Sequence, residues 1–151
     1  MQVKIKKLDE NAVIPQYAKK GDAGMDLTAT SKFYDEYGNI CYGTGLAFEI
    51  PQGYVGLVFP RSSCSKKQLL LANAVGVIDS GYRGEVTVKF KPSLALERNQ
   101  DITYMLTYGV YKVGERVAQM IIVPYPQIEF IEVDELSKTD RADGGYGSTG
   151  Q

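Results

Sequence analysis

Asp79 and Tyr82 stand in the run Gly76-Val77-Ile78-Asp79-Ser80-Gly81-Tyr82-Arg83-Gly84-Glu85, between two stretches of strand-forming residues. A hairpin there carries a carboxylate able to take a proton from water as a general base. The same Asp and Gly also suit a plain turn, through local hydrogen bonds and backbone freedom. Pro60-Arg61-Ser62-Ser63 follows an apolar segment and precedes a short helical pattern. Amides and hydroxyls at such a junction can hold an oxyanion, and Arg61 adds a charged fork, although a capped turn with a surface arginine reads the same way. The last residues, Arg141-Ala142-Asp143-Gly144-Gly145-Tyr146-Gly147-Ser148-Thr149-Gly150, combine a cation, two hydroxyls and glycines whose N–H groups can approach phosphate closely. They lack the G-x-x-x-x-G-K-S/T pattern of a P-loop, and an ordinary chain terminus has a similar composition. Asp26 in Ala23-Gly24-Met25-Asp26-Leu27 and Gln119 in Gly114 to Met120 are weaker signals by themselves.

Composition restricts the chemistry further. There is no histidine, which removes the usual general base near neutral pH, every Ser-His or Cys-His pair, and the commonest metal ligand. Lys and Arg number 17 against 18 for Asp and Glu, so no basic excess favours nucleic acid as a partner. Cys41 and Cys64 form neither a zinc set nor a disulfide framework; buried small residues in a reducing, cytoplasmic protein are expected. Apolar runs such as Met120 to Val123 are far too short to span a bilayer, so no membrane partner is expected. The N-terminus, Met1 to Leu8, alternates Val3 and Ile5 with lysines and reads as a first strand rather than a signal peptide.

The elements that must position these residues are strands. At 151 residues and 44% hydrophobic content, the chain is expected to form one domain. Period-two alternation over Glu85 to Lys91 and Ile128 to Val133 predicts half-buried strands. Leu46 to Ile50, Tyr54 to Phe59, Val75 to Ile78, Ile102 to Leu106 and Arg116 to Val123 are further strand candidates. Pro51-Gln52-Gly53 predicts a tight turn, and a short helix is expected over Ser65 to Ala72. Helical periodicity is otherwise nearly absent, and 16 glycines and six prolines cut the chain into short segments. The class is therefore all-β, a barrel or jelly roll. From about Ser137 the apolar pattern stops, which separates a core domain at 1–136 from a flexible tail at 137–151.

Taken in order, Ala23 to Leu27, Pro60 to Ser63, Asn73 to Glu85, Gly114 to Met120 and Arg141 to Gly150 resemble the five motifs of the trimeric dUTPase family. The resemblance implies a jelly-roll β-barrel, a homotrimer whose active sites are shared between subunits, and Mg²⁺-assisted cleavage of dUTP to dUMP and pyrophosphate. That reaction keeps uracil out of DNA and supplies dUMP for thymidylate synthesis. By the same resemblance Asp79 would activate the attacking water and contact the sugar 3′-hydroxyl. Tyr82 would pack on the deoxyribose, and Asn73 with the hairpin backbone would recognise uracil. Ser62, with Arg61 and Ser63 nearby, would hold the triphosphate, joined by Gln119 across the subunit boundary. Asp26 would hold Mg²⁺ through water. The tail would close as a lid, with Arg141 on the γ-phosphate, Tyr146 stacked on the base, and Gly147, Ser148 and Thr149 adding contacts.

Two departures from the family pattern stand out. Ala142 follows Arg141 where glycine is usual, which would matter if that position needs positive φ. Tyr146 replaces phenylalanine and keeps a stacking face. Residues Tyr34 to Tyr42 match no motif and are expected to form a surface hairpin. The dCTP deaminases share the fold and an Arg-Ser-Ser segment, but place a catalytic glutamate where this chain has Lys89. A regulatory trimer that binds dUTP without turnover is the noncatalytic alternative, and the intact Asp79 argues against it.

Overall fold

The computed structural model describes residues 1–92 and 109–145. Among them are ten strands: β1 (Lys4–Lys7), β2 (Met25–Thr28), β3 (Ser31–Tyr34), β4 (Ile40–Gly43), β5 (Leu46–Glu49), β6 (Tyr54–Pro60), β7 (Leu69–Leu71), β8 (Gly76–Ile78), β9 (Thr87–Pro92) and β10 (Arg116–Pro124). They hydrogen-bond as two four-stranded sheets, ordered β2-β10-β6-β8 and β3-β4-β9-β7, with a separate β1-β5 pair. Each of these pairings is antiparallel. Short antiparallel strands on one shared core give the expected all-β, jelly-roll-like class. The hydrogen bonds of the described strands run in three sheets and do not circle a closed barrel.

Alternation explains how the sheets share their core. On β9 the side chains of Val88 and Phe90 are buried while Lys89 and Lys91 face out, the period-two pattern of a half-buried strand. Leu27 of β2, Ile40 and Tyr42 of β4, Leu46 of β5 and Met120 of β10 join the same cluster. A fully buried Leu or Ile contributes roughly 1.5–3 kcal/mol. Rings of Tyr42, Phe90 and Tyr111 meet with centroids 5.8–6.1 Å apart, and the Tyr42 hydroxyl donates to the Tyr111 carbonyl at 2.9 Å. This satisfies a buried phenol that would otherwise oppose packing.

The structure differs from the sequence expectation at three places. Over Ser65 to Ala72 there is no α-helix: a 3-10 helix spans Ser62–Lys66 and β7 follows. Leu69 is buried while Leu70 is 63% exposed, so these leucines alternate as a strand, and β7 pairs with β9. Ile128 to Val133 belongs to no sheet. Its apolar side chains occupy both parities, Ile128 and Phe130 on one and Ile131 and Val133 on the other, and all four are exposed. A single apolar face, which a half-buried strand requires, is therefore missing. The segment Tyr34 to Tyr42 does form a hairpin, of β3 and β4, but β4 is wholly buried and belongs to the core rather than the surface. The candidate strand Ile102 to Leu106 lies outside the described residues. Pro51 to Tyr54 forms the expected turn, closed by Tyr54 N–H donating to Pro51 O at 3.1 Å. Among the described residues, no helix is long and apolar enough to cross a membrane.

Candidate active site

β10 is one of the two inner strands of its sheet and brings the candidate anion-binding residues together. Its Gln119 faces Asp26 on β2 and Phe59 on β6. Since β6 leads directly into Arg61, register alone sets Asp26, Arg61 and Gln119 at one end of the sheet. Arg61 donates Nε to Asp26 Oδ1 at 2.6 Å and Nη2 to Oδ2 at 3.2 Å, a two-point fork in which both side chains are about three-quarters buried. Arg116 Nη1 adds a third bond to Asp26 Oδ2 at 3.0 Å. A break in register between Arg116 and Ala118 is the kind of bulge that re-aims a strand side chain.

The turn over Arg61 to Ser63 is braced on the core. Arg61 Nη1 donates to Ser63 Oγ at 3.2 Å, and that oxygen lies 3.3 Å from the Tyr111 hydroxyl. The Tyr111 ring is packed among Tyr42 and Phe90, with Lys67 Nζ 5.0 Å from its centroid. Burial pushes the Tyr111 phenol up, so it stays protonated and can serve as a donor to Ser63. Ser62 begins the 3-10 helix exposed, and its carbonyl accepts the Ser65 hydroxyl at 2.8 Å. Gln119 Nε2 donates to Pro60 O at 3.0 Å. A Cβ on Gly24 would stand 2.7 Å from Gln119 Oε1, so a larger residue there would push the Gln119 amide from its present position. Gln119 thus sits beside Pro60, next to Arg61, in the same chain. Arg116 and Tyr111 were not singled out from sequence. A cation opening an otherwise apolar strand was the available signal for Arg116, and nothing local distinguishes Tyr111.

The second group lies on the connection from β8 to β9. Asp79 leaves β8 exposed, and its side chain makes no hydrogen bond among the described residues. The turn closes through Tyr82 N–H to Asp79 O at 3.0 Å, and Arg83 Nη1 donates to Ser80 O and Tyr82 O. The Tyr82 ring lies across Gly84, where an added Cβ would come 2.5 Å from the hydroxyl oxygen, and that hydroxyl donates to Glu85 O at 3.0 Å. Because β8 joins one sheet and β9 the other, their divergence opens a cleft of about 420 Å³. Val58, Val86 and Val88 contribute to its wall, along with Asn73. Beside Asn73, Ala74 holds a φ of 58°, the left-handed region that favours glycine.

Among the described residues no hydrogen bond or ion pair joins this hairpin to the Arg61 cluster. Arg141 lies apart from both, in a turn where its Nε donates to Gly144 O at 3.1 Å. Tyr146, Gly147, Ser148 and Thr149 lie outside the described residues. Burial pushes both thiols up, Cys41 in the core and Cys64 beside the Arg61 to Ser63 turn, so neither is poised as a nucleophile.

An all-β chain that gathers arginines, hydroxyls and an amide at one sheet end, and carries an exposed carboxylate on the hairpin that flanks a cleft of about 420 Å³, has the makings of a phosphate-handling nucleotide protein. The sequence model of the dUTPase family matches residues 10–150, and the chain belongs to that family. The deoxyuridine 5′-triphosphate nucleotidohydrolase of Nautilia profundicola is 42% identical over 153 residues, covering 100% of both chains. A variant dUTPase of Staphylococcus bacteriophage 80alpha, solved with dUpNHpp, has a TM-score of 0.82 and 29% identity over 99% of each chain. A variant dUTPase from phage phi11 of S. aureus, described with coordination of a structural Mg(II) ion, has a TM-score of 0.74 and 28% identity over 91% of this chain and 100% of that one.

Proposed function

We propose that this dUTP diphosphatase hydrolyses dUTP by attack of an Asp79-activated water on the α-phosphorus. Oxygen from water bonds to that phosphorus, the bond to the bridging oxygen breaks, and pyrophosphate leaves while the carboxylate takes the proton. The observation that carries this assignment is the Asp79 side chain: an exposed carboxylate with no internal partner among the described residues, on the hairpin that flanks the cleft. Asn73 and the hairpin backbone read uracil, and Tyr82 stacks on the deoxyribose and excludes a 2′-hydroxyl by bulk. Arg61, Ser62, Ser63 and Gln119 hold the triphosphate, and Arg116 joins them.

Asp26 fits Mg²⁺ in one way only. Its carboxylate already accepts three guanidinium bonds, which leaves room for a water rather than direct ligation. Among the described residues no three carboxylate or thiol groups cluster as a cage. An outer-shell oxygen suits a small ion that retains its waters and binds through substrate phosphates. When bound there, the ion supplies charge neutralisation at the phosphates.

Residues 137–151 form a lid distinct from the domain at 1–136, with Arg141 on the γ-phosphate, Tyr146 over the base, and Gly147, Ser148 and Thr149 contributing further contacts. The separation of the hairpin from the Arg61 cluster in one chain supports a homotrimer whose sites combine the two from different subunits. The cellular role is to keep uracil out of DNA and to supply dUMP for dTTP synthesis in the cytoplasm. Replacing Asp79→Asn is expected to lower kcat by about 10²–10⁴-fold while dUpNHpp binding, read by calorimetry, is retained. Turnover at the unmodified rate would remove Asp79 from the mechanism.

A further inference from the structure

Ser63 Oγ has two hydrogen-bonding neighbours. Arg61 Nη1, which can only donate, lies 3.2 Å from it, and the Tyr111 hydroxyl lies 3.3 Å from it. Tyr111 is fixed from several directions. It is 2% exposed, its ring meets those of Tyr42 and Phe90 with centroids 6.1 and 5.8 Å apart, and its carbonyl accepts the Tyr42 hydroxyl at 2.9 Å. Its own hydroxyl has one oxygen partner among the described residues, Ser63 Oγ. The neighbouring Cys64 sulfur is a weak acceptor, and its own hydrogen goes to Leu69 O at 3.3 Å.

Two hydroxyls in contact can be ordered in two ways. If Ser63 donated, the Tyr111 hydrogen would be buried without an oxygen to accept it, which costs free energy. If Tyr111 donates, that hydrogen is satisfied and both lone pairs of Ser63 Oγ are taken, one by the phenol and one by Arg61. The Ser63 hydrogen then has no acceptor among the described residues. Ser63 is half-buried, so an acceptor can reach it from outside the chain. Arg61 has hydrogens to spare beside it, since the bonds from Nε, Nη1 and Nη2 use three of its five. A group that only accepts, such as a phosphate oxygen, matches both.

We propose that Tyr111, which lies outside all five motifs, is a positioning residue: its buried phenol donates to Ser63 Oγ and thereby turns the Ser63 hydroxyl outward as a donor to a phosphate oxygen of the substrate. The assignment rests on the reading of the Arg61 to Ser63 turn as a phosphate site. A free serine hydroxyl can donate or accept, whereas Ser63 held in this way can only donate. Loss of the phenol returns a lone pair to Ser63 and lets its hydroxyl rotate. Both contacts are long for hydrogen bonds, so the loss of one acts severalfold and not a hundredfold.

The test is the Kd of dUpNHpp, by calorimetry with Mg²⁺, for the full chain and for Tyr111→Phe, Ser63→Ala, the two combined, and Arg61→Gln. Tyr111→Phe keeps the ring in the core and is expected to weaken binding about threefold to tenfold, and Ser63→Ala about tenfold. The double variant is expected to bind as Ser63→Ala does, because without the serine hydroxyl the phenol has nothing to orient. A phenol that only braces the fold would lower Tm and either leave Kd unchanged in Tyr111→Phe or multiply the two losses in the double variant. Either result would overturn the proposal, as would an unchanged Kd in Ser63→Ala. Failure of the underlying phosphate-site reading is seen separately, as an Arg61→Gln chain that binds dUpNHpp as tightly as the parent.

Discussion

Asp26 on β2 and Asp35 just beyond β3 show how two carboxylates take different work from their surroundings. Asp26 is divided between Arg61 and Arg116, whose guanidinium groups it orients at the sheet end. Asp35 closes the β3–β4 hairpin. The Asn39 side-chain amide, then the Asn39 backbone, Lys89 and the Tyr37 backbone, hold its carboxyl well below the ordinary carboxylate value of 3.8, against the opposing effect of burial. A depressed folded-state pKa contributes stability that is fully present above the unfolded value and lost as pH falls through the folded one. Asp35→Asn is therefore expected to lower Tm at pH 6–7, with the difference from the parent chain narrowing steadily below about pH 4. A difference constant from pH 7 to pH 2 would mean that Asp35 acts by shape and not by charge. The pairing of Asp26 with two arginines, 35 and 90 residues distant, was not legible in the sequence, because only strand register brings them together. Asp79, by contrast, stood out because its glycine-rich surroundings are local.

At the scale of elements, the turn over Thr139 to Gly144 carries the clearest strain. Ala142 sits at φ 45°, while its N–H donates to Thr139 O and Gly144 N–H donates to Arg141 O. The left-handed region costs a side-chain-bearing residue roughly 1–2 kcal/mol. If Arg141 closes over the phosphates from this turn, Ala142→Gly removes part of that cost, and kcat/KM for dUTP is expected to rise about threefold to tenfold. A fall in kcat/KM would show that the alanine restricts the open state usefully. The strands at Leu46, Tyr54 and Arg116 were legible because apolar, β-branched and aromatic residues run together there between turn signals. Leu69 to Leu71 misled, since three consecutive leucines carry no period and only pairing with β9 makes them a strand. β2 escaped the reading, and β3 and β4 were legible only as a hairpin over Tyr34 to Tyr42, without the burial of β4. β4 runs apolar throughout, buried on every residue, and gives no alternation to detect.

At the scale of the molecule, no hydrogen bond or ion pair joins the Arg61 cluster, proposed to hold phosphate, to the Asp79 hairpin, proposed to hold the base, among the described residues. A trimer with shared sites accounts for this, and it predicts complementation. Asp79→Asn and Arg61→Gln chains should each be nearly inactive alone. Mixed trimers, formed by joint refolding of equal amounts, should recover activity in about a quarter of the sites, those that receive Asp79 from one variant and Arg61 from the other. Complete silence of the mixture would place both residues of each site in the same chain. Light scattering gives the subunit count in the same samples.

The most direct test of the whole account is pyrophosphate release with Mg²⁺ from dUTP, dTTP, dCTP and UTP measured side by side. Rapid release from dUTP, with the other three far slower, is the predicted result, since it requires the carboxylate, the cleft and the Tyr82 wall to act together. Comparable release from UTP or dCTP, or none from dUTP, would contradict it.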